Sequence, residues 1–298
     1  MTFAWVFPGQ GSQKLGMADS VLSLDGAPER FDLASQILGR DLLKICTETG
    51  SPNKKIDDLN DTRNTQPALF VVESLLVDEL KKQGSRASLV AGHSLGEIVA
   101  LYAAEVFDLS TGLNLLKSRS ELMSAVGNGA MTAVLGFDQK QLIDLVQEIE
   151  GVVIANDNST DQVVLSGKPE SVELLVSKLN CKRSVPLKVS GAFHSPFMEQ
   201  PSQAFSQLID QVTFNDAIFP VISNFDPTPE TNGGVLQMKL KRQMTSGVRW
   251  RETMDVIQNN SIDSLIEIGP GKVLSGLAKR SILGISIKQI SSFNDLEC

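Results

Sequence analysis

The chain is short of the residues that most readily announce a function: among its 298 residues are two histidines, three cysteines, two tryptophans and one tyrosine. The cysteines, Cys46, Cys181 and Cys298, are odd in number, form no Cys-x-x-Cys pair and have no histidine cluster nearby. That excludes a disulfide framework or a zinc site as the organising feature, predicts no metal, and fits a reducing cytoplasm. Positive charge is not in excess either. A formal net charge of −8 argues against a general nucleic-acid binder, which needs a basic face, though not against a local basic patch. Long apolar runs are missing: residues 68–72 and 98–104 fall far short of the ~20 residues a membrane span requires. The first residues carry no basic lead and no small-residue cleavage site, so they read as a strand and not as a secretory signal. Internal repeats and low-complexity tracts are absent. What remains is 42% apolar and 21% charged, the balance of a globular protein. The length suits one large domain or a large domain with an insert.

Periodicity then sets out the parts. Residues 3–7 are a short apolar run ending in Pro-Gly, as a buried strand does. Residues 67–82 place Leu69, Val72, Leu75, Leu76 and Leu80 at helical spacing, with Pro at the start and Gly84 past the end. A strand at 88–91 runs straight into a helix at 95–106, the rhythm of a parallel α/β sheet. The middle changes character: strand 130–136, helix 138–149, strands 152–155 and 162–165, helix 169–179 and strand 183–189. That βαββαβ order is the ferredoxin-like unit. The expected organisation is therefore a large α/β-hydrolase-like domain with a parallel sheet, residues 1–127 and 197–298, carrying an inserted ferredoxin-like subdomain, residues 128–196. After the insert, strands at 218–223, 264–268 and 285–290 and helices at 250–258 and 272–283 complete the sheet, and residues 224–234 read as a long irregular loop.

One motif carries chemistry. Gly92-His93-Ser94-Leu95-Gly96 fits Gly-x-Ser-x-Gly and lies between a predicted strand and a predicted helix, where a nucleophile elbow must sit. The chain turns so sharply at the serine that side chains two residues to either side would collide, so both positions take glycine. The turn lifts the serine hydroxyl out at the sheet end and aims the Leu95 N–H at an incoming carbonyl oxygen.

Serine needs a base, most often histidine. His93 adjoins Ser94 on the elbow, where its side chain should point away. Elimination leaves His194, in Ser190-Gly191-Ala192-Phe193-His194-Ser195-Pro196, at the exit from the predicted insert. Ser195-Pro196 also reads as a helix cap followed by proline at the first helical position. No acid announces itself as a third member; Asp216, Asp226 and Asp263 are candidates, and a backbone carbonyl would serve as well.

Several segments now combine. Residues 7–13 (Phe-Pro-Gly-Gln-Gly-Ser-Gln), 64–68 (Asn-Thr-Gln-Pro-Ala), 92–97, Arg119, 129–131 (Gly-Ala-Met), 191–195 and 267–271 (Glu-Ile-Gly-Pro-Gly) stand in one order. Together they resemble the malonyl-CoA:acyl-carrier-protein transacylases of fatty-acid synthesis and, more distantly, the acyltransferase domains of polyketide synthases. The likeness runs from about Phe3 to Ile282. It implies a ping-pong transfer: Ser94 takes malonate from malonyl-CoA as an ester, and the phosphopantetheine thiol of an acyl carrier protein removes it, with His194 as base and acid. It implies that the backbone N–H of Gln10 joins that of Leu95 as oxyanion donor, and that Gln66, Arg119 and Phe193 bind the acyl group. Chemistry supports the arginine independently, since a guanidinium grips a carboxylate with two parallel hydrogen bonds. Val248-Arg249-Trp250 matches a family segment whose main-chain carbonyl, here that of Arg249, would hold the histidine in place of an acid. Phe193 matches the pattern that accompanies malonyl over bulkier acyl groups. The resemblance implies no cofactor beyond the CoA substrate; cysteine usage, charge and run lengths point to a cytoplasmic protein without membrane or nucleic-acid partner, and a monomer is the default expectation.

Two further motifs fail on inspection. Gly9-Gln10-Gly11 opens like a dinucleotide fingerprint, but Lys14 stands at the third glycine's position. Gly269-Pro270-Gly271-Lys272 opens like a P-loop, but Val273 occupies the place of the magnesium-binding Ser or Thr. Lys182, Arg183 and Lys188, with Lys239, Lys241 and Arg242, form a basic set for an acidic carrier protein to meet. A serine hydrolase would use the same elbow but has no need of Arg119. A catalytically silent module would not keep Ser94, His194, Arg119 and Gln10 together. A discrete transferase of a polyketide or specialised lipid pathway would differ only in its carrier.

Overall fold

Ala4, Trp5, Val6 and Phe7 are all wholly buried, which only a strand covered on both faces requires. In the computed structural model, which describes residues 1–47, 55–189 and 191–296, they belong to β1 (Phe3–Phe7). The chain continues through α1 (Ala27–Leu38), α2 (Leu42–Thr47), α3 (Thr62–Lys82), β2 (Leu89–Gly92), α4 (Gly96–Ala103) and α5 (Leu109–Ala125). A second unit follows: β3 (Ala130–Phe137), α6 (Gln139–Glu148), β4 (Val152–Ser159), β5 (Gln162–Gly167), α7 (Pro169–Lys178) and β6 (Cys181–Pro186). The last stretch holds α8 (Glu199–Ile209), β7 (Val221–Ile222), α9 (Gly233–Arg242), α10 (Trp250–Asn259), β8 (Ser264–Ile268), α11 (Val273–Ser281) and β9 (Ser286–Ile290).

Strands from both ends of the chain form one parallel sheet in the order β7-β2-β1-β8-β9, with Trp5 opposite Val90 on one side and Ile266 on the other. One apolar cluster, with Trp5, Phe7, Phe70 and Leu116, covers one face; Val6, Trp250, Met254 and Leu277 cover the other. The middle unit forms an antiparallel sheet, β4-β5-β3-β6, with its own core of Val134, Leu142, Leu165 and Leu175. The fold is thus mixed α/β, a parallel sheet accompanied by a βαββαβ unit.

Several boundaries differ from the pattern reading for identifiable reasons. Helix α3 starts five residues before Pro67. The carbonyl that proline's missing N–H would have bonded is that of Arg63, and it accepts instead from Arg40 Nη2 at 2.6 Å. Strand β7 shrinks to two residues because Ile218 donates to the Ala104 carbonyl and Pro220 has no N–H to give. Helix α9 begins inside the expected loop, on two glycines, where the Asn232 side chain caps it by accepting from the Val235 N–H. The P-loop-like segment is explained too: the Glu267 carboxylate accepts from the N–H groups of Leu274 and Ser275 at 3.0 and 2.8 Å, so a side chain occupies the helix end that would hold a phosphate. Ser190 and Cys298 lie outside the described residues. Among those described, no helix is long and apolar enough to cross a membrane.

Candidate active site

Ser94 stands between β2 and α4 with φ of 55°, in the left-handed region. The flanking glycines have a measurable cause: a Cβ on Gly92 would lie 1.9 Å from the Gly96 carbonyl, and one on Gly96 would lie 2.2 Å from the Phe7 carbonyl oxygen. Ser94 Oγ is 2.7 Å from His194 Nε2. On the other side of the ring, Nδ1 is 3.0 Å from the main-chain carbonyl of Gln243. A carbonyl only accepts, so Nδ1 carries the proton and Nε2 presents its lone pair to the serine hydroxyl. His194 also has φ of 55°, and Ser195 caps the short 3₁₀ turn that follows by accepting from the Phe197 N–H. Burial first, then the nearby Arg119 charge, pushes the His194 pKa down to about 3, so the imidazole is neutral near pH 7.

This geometry corrects the reading of Arg249. Its carbonyl is the first acceptor of α10, taken by the N–H and hydroxyl of Thr253, and its exposed guanidinium pairs with Glu252. Gln243, just past the end of α9, supplies the carbonyl instead. Of the three aspartates, Asp216 accepts from the Gly233 N–H, Asp226 pairs with Lys239, and Asp263 accepts from the Thr2 N–H, so the backbone takes the acid's place.

Arg119, on α5, is fully buried. Its Nη1 donates to Gln66 Oε1 at 2.8 Å, and its Nη2 to Gln243 Oε1 at 2.9 Å and to Ser94 Oγ at 3.2 Å. Burial pushes its pKa down to about 10, opposed by Glu97, which leaves it charged at neutral pH. Among the described residues no carboxylate touches the guanidinium, and its Nε has no partner there. Glu97 lies one carboxamide away, accepting from Gln243 Nε2 at 2.7 Å. Burial raises the Glu97 pKa, while Gln243, Asn224, Ser223 and Arg119 hold it down.

These groups open into a cleft lined by Gln10, Gln66, Leu95, Met123, Phe193 and His194, among others. Ser94, His194, Gln10, Leu95, Gln66, Arg119 and Phe193 therefore all line one cleft, and Arg249 does not. His93 turns from the serine toward Asn158, its Nε2 2.9 Å from Oδ1. The basic set divides: Lys239 is buried on Asp226 and Lys241 pairs with Asp210, while Lys182, Arg183 and Lys188 stay exposed along the edge strand β6 and beyond it. Sequence reasoning missed Gln243, Asn224 and Glu97. Only Glu97 had a signal, as the last residue of the elbow motif.

Known proteins resemble the chain along nearly its whole length. The model of the acyl transferase domain matches residues 4–284. The chain is 48% identical to the malonyl CoA-acyl carrier protein transacylase of Synechocystis sp. over 296 residues, 99% of each chain. A crystal structure of a Synechocystis malonyl-CoA:ACP transacylase superposes with a TM-score of 0.95, covering 100% of this chain and 99% of that one at 48% identity. A malonyl-transacylase solved in complex with its type II polyketide acyl-carrier protein superposes with a TM-score of 0.92 at 33% identity, covering 100% and 98%. Because the family model spans residues 4–284 and the identity to a transacylase holds at 48% along 99% of the chain, the chain belongs to the acyl transferase domain family.

Proposed function

We propose that the protein transfers the malonyl group from malonyl-CoA to the phosphopantetheine thiol of an acyl carrier protein, through an ester on Ser94, and so supplies fatty-acid synthesis. The observation that carries this reading is the buried Arg119 guanidinium 3.2 Å from Ser94 Oγ, within reach of the free carboxylate of a three-carbon acyl ester on that oxygen.

In the first half-reaction His194 Nε2 takes the Ser94 hydroxyl proton as Oγ attacks the thioester carbonyl. The oxyanion that forms faces the N–H groups of Leu95 and Gln10; losing one such donor typically costs roughly 10²–10³ in rate. Collapse breaks the C–S bond, and His194 returns the proton to the departing CoA thiolate. In the second half-reaction His194 takes the carrier thiol's proton, the thiolate attacks the ester, and Ser94 recovers its hydrogen. Arg119 enters this proton movement. Unpaired, it lowers the basicity of His194; a bound carboxylate neutralises it and raises the imidazole's affinity for the serine proton at the moment substrate arrives. Gln66 holds the guanidinium, and Phe193 closes the acyl end against bulkier groups.

The two sheets support a division into residues 1–127 with 197–298 and an inserted unit 128–196, with the cleft between them. The same reading makes the protein a cytoplasmic monomer that needs no metal or other cofactor. A polyketide carrier is the second reading, favoured by the 0.92 superposition on an enzyme bound to one. Intact mass after mixing with malonyl-CoA tests the proposal: an adduct of malonyl mass forms on the protein, is absent in Ser94→Ala, and is discharged faster by a carrier thiol than by water. Rapid loss to water would mark a hydrolase. Assay against fatty-acid and polyketide carrier proteins separates the two pathways.

A further inference from the structure

We propose that Asn224 is the positioning residue that keeps the nucleophile elbow in its reactive shape, with Glu97 as its anchor; the proposal rests on Ser94 being the nucleophile. A non-glycine residue at φ of 55° occupies an unfavourable conformation that its surroundings must over-determine. Here one side chain spans the turn itself. Asn224 Oδ1 accepts from the Ser94 N–H at 2.7 Å, and its Nδ2 donates to the Gly92 carbonyl at 2.6 Å, so a single carboxamide spans both sides of the turn. The assignment of its two ends is forced, because the Ser94 N–H can only donate and the Gly92 carbonyl can only accept.

Asn224 is itself buried and held at both backbone groups. Its N–H donates to Glu97 Oε2 at 3.0 Å, and its carbonyl accepts from the Arg249 N–H at 3.1 Å. The same Glu97 oxygen accepts from Gln243 Nε2, which also donates to the Ser94 carbonyl at 2.9 Å. One carboxylate on α4 thus ties the segment after β7 and the end of α9 to the elbow. Two consequences follow for the reaction. The serine's backbone is fastened on both sides while its hydroxyl stays free to react. Its N–H is spent on Asn224, which leaves Leu95 as the elbow's donor facing the cleft.

An aspartate at this position reproduces the shape but not the chemistry. Ionised, it sets an oxygen against the Gly92 carbonyl and a second charge beside Glu97. Neutral, its O–H donates to Gly92 as the amide does. The ionisable groups around position 224 are Glu97 on α4, Arg119 on α5, His93 and His194, with Arg249 and Asp226 at the outer flank. Burial beside Glu97 raises the new carboxyl's pKa.

The test uses the full chain and two readouts: the rate of Ser94 acylation by malonyl-CoA, with KM, and the rate of Ser94 modification by phenylmethylsulfonyl fluoride, which needs no natural substrate. Asn224→Ala is expected to slow both rates by roughly 10²-fold, the scale of a misplaced reacting group, while KM for malonyl-CoA moves by less than about threefold. Asn224→Asp is expected to be slow at pH 8 and to recover as the pH falls toward 6, whereas the wild type gains nothing from acid because His194 must stay unprotonated. Wild-type labelling rates in Asn224→Ala, or an Asn224→Asp pH profile parallel to the wild type, would overturn the proposal. Should Asn224→Ala fail to fold, the Asn224→Asp profile decides. Failure of malonyl-CoA to acylate the wild type would sink the malonyl reading and leave the sulfonyl fluoride arm to judge Asn224.

Discussion

Replacing Arg119 with alanine separates acyl recognition from acyl transfer. The side chain is wholly buried and offers two Nη groups, both anchored by carboxamides that themselves are buried. A carboxylate received there is desolvated, and truncating one partner of such a pair costs about 2–5 kcal/mol. At roughly 1.4 kcal/mol per factor of ten, kcat/KM for malonyl-CoA should fall by about 30-fold to several thousand-fold. Acetyl-CoA has no carboxylate to lose. Its only lost contact is the hydrogen bond from Nη2 to Ser94 Oγ, so its kcat/KM should stay within about tenfold, the scale of one ordinary hydrogen bond. The assay is Ser94 acylation by the two thioesters, followed by mass or by CoA release, and the quantity read is their ratio. A second readout comes from pH. His194 must be neutral to act, and its pKa is held to about 3 by burial and then by Arg119. Removing a positive neighbour raises that pKa, so the acid limb of kcat/KM for acetyl-CoA should move to higher pH in the variant. An unchanged malonyl-to-acetyl ratio would refute the carboxylate role whatever the absolute rates.

Arg249→Ala keeps the main-chain carbonyl that serves α10 and removes only an exposed partner of Glu252, so kcat should stay within about twofold of wild type; a large drop would show that the Arg249 side chain itself acts on the site. Glu73, on α3, is wholly buried with both carboxylate oxygens unpartnered, and burial followed by the Glu267 charge pushes its pKa well up. A folded-state pKa above the unfolded value of ~4.3 means that stability is lost as pH rises from that value toward the folded one. Glu73→Gln removes this titration, so its Tm advantage, read by thermal melts, should widen from pH 5 to pH 8; a constant gap would contradict it. Reversing charge at Lys182, Arg183 and Lys188 should raise KM for the carrier protein and leave KM for malonyl-CoA unchanged, and equal effects on both would remove the β6 edge as a docking surface.

How far the sequence reached depends on the range over which each feature is encoded. The elbow was legible because its requirement is local: two glycines must flank a residue at a turn where any Cβ would strike backbone. The βαββαβ unit was legible because period 2 and period 3.6 alternate within short windows. His194 emerged from scarcity, since only two histidines exist and one adjoins the serine. The start of α3 was hidden because its proline is tolerated only through Arg40, a residue from another segment. Arg249 was misassigned and Gln243 overlooked for a single reason: the group that orients the histidine is a main-chain carbonyl, which every residue possesses and no side chain advertises. Asn224 and Glu97 are 127 positions apart, and Gln243 and Glu97 are 146 apart, meeting only because β7 and β2 are neighbours in the sheet and α9 ends against the elbow. By itself, then, the sequence singled out Ser94, His194 and Arg119 for the proposed roles of nucleophile, base and carboxylate partner, all readings of residue type in a short pattern. The tertiary structure alone decided what holds them, because hydrogen bonds from backbone groups and distant carboxamides depend on where the chain returns.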